Sequence, residues 1–100
     1  MPTLEDFRKQ LEDALAAARR VGDSPLRADQ LADHLAVMES SLATIEMIED
    51  TRKRISAALA DAERVLRRDD DGHEAARHIQ TALRAAEYKQ AKPSPFLDLG

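Results

Sequence analysis

The feature that most constrains this chain is a stretch from Leu26 to Asp71 that contains neither glycine nor proline. Apolar residues recur in it every three or four positions, which is the spacing of one face of an α-helix. An unbroken helix of about 44 residues would be roughly 66 Å long at ~1.5 Å per residue. A compact domain of this length has a radius of gyration near ~13 Å, so such a helix cannot lie inside it. The stripe consists of Leu31, Leu35, Met38, Leu42, Ile45, Ile48, Ile55, Leu59, Ala62 and Leu66, with Arg52 on its seam.

A shorter helix is predicted before the long one. It begins at Thr3, whose hydroxyl can accept a hydrogen bond from a free backbone amide, and ends at Gly22 as a left-handed cap. A turn follows, in which Ser24 caps the long helix and Pro25 is its first residue. The apolar face of the short helix comprises Leu4, Phe7, Leu11, Ala14 or Leu15, Ala18 and Val21.

A second short helix is predicted after the long one, from about His73 to Gln90. Asp71 or a neighbour is positioned to cap its first turn. Lys92–Pro95 ends it, because proline and the residue before proline oppose helical backbone. Its apolar face comprises Ala76, Ile79, Leu83 and Ala86.

These elements predict an all-α fold of three helices, with a long central helix from about 25 to 68 and a shorter antiparallel helix along each half. Two helices cannot cover each other's apolar faces, so we expect a second copy to pair along the central helix and to form a four-helix-type bundle. This homodimer would depend on buried apolar contacts between the two long helices. The residues expected to carry this self-association are Leu35, Leu42, Ile45, Ile55 and Leu59.

The alternative is a monomeric four-helix bundle in which the long helix breaks near Asp50–Thr51. The break adds a fourth helix to the three above, and Thr51 caps it. Two irregularities favour the break. The steps from Leu42 to Ile45 to Ile48 are both three residues, like a coiled-coil stammer. A run of polar residues at 49–54 then crosses the apolar seam.

Composition removes several classes of function. The chain has no cysteine, which excludes disulfides, thiol catalysis and thiolate metal sites. No apolar run approaches the ~20 residues of a membrane span, and the first residues do not resemble a signal peptide. We therefore expect a soluble cytoplasmic protein without membrane contact. The net charge of −4 does not favour nucleic acid as a partner.

A basic cluster in the second half of the long helix supports one alternative function, that of a nucleic-acid-associated regulator. Such a cluster could contact phosphates. Acidic residues are interleaved with it, which is typical of a solvated mixed-charge surface. The cluster comprises Arg52, Lys53, Arg54, Arg64, Arg67 and Arg68.

Glu46 and Glu49 support another alternative, a small metal-dependent helical-bundle enzyme. Two carboxylates three residues apart lie on one side of a helix, where they can share a divalent cation. All-helical nucleotide pyrophosphohydrolases combine this ExxE motif with a later ExxD motif, which this chain lacks. His34 lacks the residues that follow a phosphotransfer histidine and is predicted to be a surface or packing residue. We expect no cofactor, no metal site and no catalytic residue.

The last segment carries three large apolar residues that it cannot easily bury by itself, Phe96, Leu97 and Leu99. We assign residues 1–92 to the helical domain and 93–100 to a non-helical apolar tail. The tail either docks on its own bundle or acts as a linear motif for another protein. The pattern as a whole favours a non-enzymatic protein–protein interaction module, such as a helical adaptor, a chaperone-like protein or a regulatory subunit.

Overall fold

The computed structural model describes residues 3–23 and 27–90, the last three as backbone only. These ranges contain four helices and no strand, which confirms the all-α prediction. The helices are α1 (Leu4–Asp23), α2 (Ala28–Leu42), α3 (Glu49–Asp69) and α4 (Gly72–Gln90).

The helices form an up-and-down bundle in which each runs antiparallel to its neighbours. At one end of the α2–α3 pair, Arg52 of α3 reaches the carbonyl oxygen of Leu42. At the other end, Arg67 of α3 meets Asp33 of α2. The α3–α4, α1–α4 and α2–α3 contacts are extensive, whereas α1 and α2 touch far less.

The core is built from the predicted apolar faces, most of whose residues are nearly completely buried. Ile48 of the predicted stripe is the exception, because it is the N-cap of α3 and is 58% exposed. Burying a large aliphatic or aromatic side chain stabilises the fold by about 1.5–3 kcal/mol. The two short helices bury the faces expected for them. The largest fully buried side chains are Phe7, Leu11, Leu35, Met38, Leu42, Ile45, Ile55, Leu59, Leu66 and Ile79.

The predicted long helix from 25 to 68 is wrong, because the chain leaves the helix after Leu42 and resumes it at Glu49. The backbone amides of residues 43–45 each bond to a carbonyl three positions back, which tightens the last turn. The hydroxyl of Ser41 donates to the Met38 carbonyl at 3.0 Å, and that of Thr44 to the Ser41 carbonyl at 2.8 Å. Hydroxyl side chains thus compete for the backbone acceptors and end the helix without glycine or proline.

Arg52 holds the corner between α2 and α3 together. Its Nη1 donates to the carbonyl oxygen of Leu42, the last residue of α2, and its Nε donates to Glu49 Oε1 at 3.2 Å. A cation at a helix C-terminus satisfies orphan carbonyls and interacts favourably with the helix dipole. The polar residue on the apolar seam is therefore part of the corner.

Two of the predicted helix caps are confirmed. The Thr3 hydroxyl accepts from the Asp6 amide at 3.1 Å, and the Asp6 carboxylate accepts from the Thr3 amide at 3.4 Å. This is a reciprocal cap in which aspartate takes the place usually held by glutamate. At the start of α4, Asp71 Oδ1 accepts from the Glu74 amide at 3.0 Å.

Two other predicted caps are wrong. Thr51 does not cap α3, since Ile48 holds the N-cap position and the fully buried Thr51 hydroxyl has no hydrogen-bond partner. Gly22 is not a left-handed cap, because no glycine of the described ranges has a positive φ and α1 continues to Asp23. A left-handed cap does occur at the end of a different helix, where Asp70 follows α3 with φ 52°.

Gly22 and Gly72 mark a place where the backbones of α1 and α4 approach each other closely. A Cβ atom on Gly72 would overlap the carbonyl oxygen of Ala18 and the backbone nitrogen of Gly22. The three atoms nearest to a Cβ atom on Gly22 would all belong to the imidazole of His73. Gly72 is thus required by close backbone approach, whereas Gly22 faces a side chain that can move.

The predicted turn residues Ser24 and Pro25, and the tail with Phe96, Leu97 and Leu99, lie outside the described residues. Within the described ranges, none of the helices combines the length and the apolar character that crossing a membrane requires.

We predict that Gly72→Ala destabilises the protein and that Gly22→Ala does not. Overpacking against fixed backbone costs about 1–3 kcal/mol. The His73 side chain is 66% exposed and can rotate away, so Gly22→Ala keeps the advantage of alanine in a helix. Urea unfolding of the two variants checks this, and equal losses at both positions would contradict the close α1–α4 approach.

We also predict that Arg52→Gln lowers the free energy of unfolding by about 1–2 kcal/mol, because it removes a charged donor from the Leu42 carbonyl. Lys53→Gln is the matched control, since Lys53 is the next residue, is exposed and should change stability by less than about 0.5 kcal/mol. Thermal and urea unfolding measure both. A loss no larger for Arg52→Gln than for the control would remove Arg52 from the corner.

Candidate interaction surface

The five residues predicted to carry self-association lie in the core of one chain. Each exposes 1% or less of its surface, packed against the chain's own helices. A dimer that used them as contacts would require the bundle to open. Homodimerisation stays a prediction, and in this arrangement it would have to use other surfaces. The residues are Leu35, Leu42, Ile45, Ile55 and Leu59.

The ExxE pair is not presented on one helix. Glu46 lies in the connection between α2 and α3, and Glu49 is the first residue of α3. Glu49 is also engaged by Arg52. Within residues 3–23 and 27–90, no three histidine or acidic side chains come together in a way that could hold a metal ion.

Most of the basic cluster on α3 is paired with carboxylates. Arg52 pairs with Glu49, Arg54 with Asp50, and Arg64 with Asp61. Arg67 joins Glu63 and Asp33 at 3.0 and 2.9 Å. These pairings reduce the net positive charge that the cluster can offer to phosphates.

A polar seam joins the outer sides of α2 and α3 around Arg67. The hydrogen bonds to Asp33 and Glu63 raise the pKa of the Arg67 guanidinium, which stays charged in any case. Partial burial, and then the nearby Glu63 carboxylate, raise the pKa of Glu39 above its ordinary value. Arg67 therefore links the two helices, whereas Glu39 opposes their approach when it is ionised.

The surface best suited to bind another molecule is a groove between α1 and α2, the pair of neighbouring helices with the weakest contact. Its volume is about 630 Å³, and its floor is apolar, formed by Ala17, Val21 and Leu31.

The rim of the groove is cationic. Arg20 projects from the last turn of α1, and Arg27 and His34 from the start and middle of α2. No carboxylate of the described residues lies within ion-pairing distance of Arg20 or Arg27. The arginines at positions 8, 52, 54, 64, 67 and 77 each have a carboxylate partner, whereas those at 19, 68 and 84, like the two on the rim, form no ion pair among the described residues.

The flank of α2 that faces the groove carries an exposed apolar residue further toward the C-terminus of the helix. Gln30, His34, Val37 and Ser41 follow one another at steps of four, three and four, which places them on one flank of the helix. Val37 is 65% exposed, a high value for a large apolar side chain. Val37 thus adds one exposed apolar side chain to this flank of α2.

The apolar stripes of the sequence identify the core and not the space beside it, so they do not predict this site. His34, predicted to be a surface or packing residue, is exposed on the groove rim. Two signals were present in the sequence. Alanines widen the apolar stripe of α1 at its end, and Arg20 and Arg27 lie on either side of the turn between α1 and α2.

We predict that Glu39→Gln raises the melting temperature at pH 7. A raised pKa in the folded state means that ionisation of Glu39 opposes folding, so its contribution is most favourable at low pH and is lost as pH rises through the folded-state pKa. The gain should disappear near about pH 3, where the carboxyl group is protonated in both states.

Glu46→Gln is the control for this prediction, since it removes the same charge from an exposed position outside the helices. Melting curves for both variants at the two pH values test the prediction. If Glu39→Gln were less stable than the parent at pH 7, burial of the ionised Glu39 carboxylate beside Glu63 would not be a real cost.

Comparison with known proteins gives no relative from which a role could be carried over. No protein-family model matches the chain, and no curated protein and no solved structure matches it significantly.

Proposed function

We propose that this chain is a non-enzymatic protein–protein interaction module that receives a helical segment of another protein in the groove between α1 and α2. The observation that carries the proposal is the apolar floor between two helices that make little contact with each other. Grooves of this kind bind the apolar face of an amphipathic helix, which is a recurrent mode of peptide recognition.

The geometry of the bundle supports this mode of binding. A helix laid between α1 and α2 would contact Ala17, Val21 and Leu31 and would cover the flank that carries Val37. The partner would bury apolar surface at a place where the chain itself provides little packing. Since α1 and α2 are the least connected neighbours, small adjustments of their separation would cost less there than elsewhere in the bundle.

Two further parts of the proposal, a role for the tail and a cytoplasmic location, rest on the sequence. Phe96, Leu97 and Leu99 have the character of a linear motif and would provide a second contact with a partner. The absence of cysteine fits action in the reducing cytoplasm. Self-association remains compatible with the proposal through surfaces other than the core.

A site-specific photocrosslinking side chain tests the proposal in the cell that makes the protein. Placed at His34 on the groove rim, it should give discrete adducts with another protein. Placed at the exposed Thr81 on α4, away from the groove, it should not. The same adducts from both positions, or none from position 34, would contradict the proposed function.

A further inference from the structure

We infer that the segment received by the groove is an acidic amphipathic helix. This inference rests on the proposed function and adds the chemistry of the partner. The groove combines an apolar floor with a rim of two arginines and one histidine. A complementary helix has an apolar stripe flanked by carboxylates, because opposite charges across an interface set specificity and the association rate.

The charge of the groove lining is the first argument. Six arginines elsewhere reach carboxylates of their own or a neighbouring helix, as Arg67 reaches Asp33 across the α2–α3 seam. Across the α1–α2 seam, Arg20 and Arg27 meet no carboxylate of the described residues. Other exposed arginines also form no ion pair there, so the groove is distinguished by its lining, in which two arginines and His34 surround an apolar floor without any carboxylate.

The position of Arg27 is the second argument, and it is independent of the first. Arg27 occupies the N-cap of α2, and its own side chain forms no capping hydrogen bond. The helix dipole places partial positive charge at an N-terminus, so a cation is disfavoured at this position. Asp29 lies in the same first turn but forms no ion pair with Arg27. A carboxylate from a bound partner would offset this unfavourable placement.

The length of α2 sets the length of the partner. With 15 residues, α2 spans about 22 Å at ~1.5 Å per residue. A partner helix of about 15 residues would follow the groove from the cationic rim to Val37. Its apolar residues at i, i+3, i+4 and i+7 would face the floor, and its acidic residues would lie beside Arg20 and Arg27.

The test uses the full chain and two synthetic fluorescent peptides of about 15 residues. Both carry leucine at i, i+3, i+4 and i+7, one with glutamate and the other with lysine on the flanks. Fluorescence anisotropy should show the glutamate peptide binding at least about tenfold more tightly, with an affinity that falls as salt is raised. Equal affinity, or preference for the lysine peptide, would overturn the inference.

Variants show that the expected charges are responsible. Arg20→Gln and Arg27→Gln should each weaken binding of the glutamate peptide by about threefold, and the double variant by about tenfold, as expected for exposed ion pairs. Arg68→Gln is the matched control, because Arg68 is exposed on α3, which does not line the groove. A loss for Arg68→Gln equal to that for Arg27→Gln would overturn the assignment of the rim.

Ala17→Met separates failure of the inference from failure of the proposed function. Methionine at this half-buried position would fill the groove floor and should weaken both peptides, while circular dichroism confirms that the helices are retained. A preference for the lysine peptide that Ala17→Met abolishes would leave the groove as the binding site and would refute only its acidic partner. If neither peptide bound, both proposals would fail.

Discussion

The corner between α2 and α3 is the constraint on which the rest of the structure depends. Without it, the apolar stripe of residues 31–66 would stay on one helix far longer than this chain can enclose. The corner turns that stripe back on itself, so that Leu42 and Ile55 both enter one core. Arg52 stabilises the turn by donating to the last carbonyl of α2, and Arg67 joins the same two helices at their far ends.

The helices of the bundle are not equally well packed against one another, and the groove lies where the packing is weakest. The α1 helix is tied to α4 by close backbone approach at Gly72 and by the ion pair between Arg8 and Glu87 at 3.6 Å. The α2 helix is held mainly by α3. The α1–α2 seam therefore remains the least packed side of the bundle. There an apolar floor and the cations Arg20 and Arg27 provide the chemistry of the proposed interaction surface.

The sequence predicted what depends on periodicity and local capping, and it failed where side chains compete for the backbone. The stripes of α1 and α4, the Thr3 cap and the Asp71 cap could all be derived from spacing and residue type. The end of α2 could not be derived, because no glycine or proline marks it. It depends instead on hydroxyl groups such as those of Ser41 and Thr44. The groove could not be derived from the sequence either, since it depends on how loosely α1 and α2 pack against each other in the folded chain.

The distance between α2 and α3 at the open end of their hairpin tests this account most directly. The chain has no cysteine, so spin labels attached to cysteines introduced at Asp33 and Arg67 would be the only ones present. These residues are 34 positions apart and in contact, so pulsed electron paramagnetic resonance should give a distance below about 25 Å once the label arms are included. A continuous helix would separate the same positions by about 51 Å at ~1.5 Å per residue. A short distance that persists on dilution with unlabelled protein supports the single-chain bundle, whereas a distance near about 51 Å would contradict the corner and the groove together.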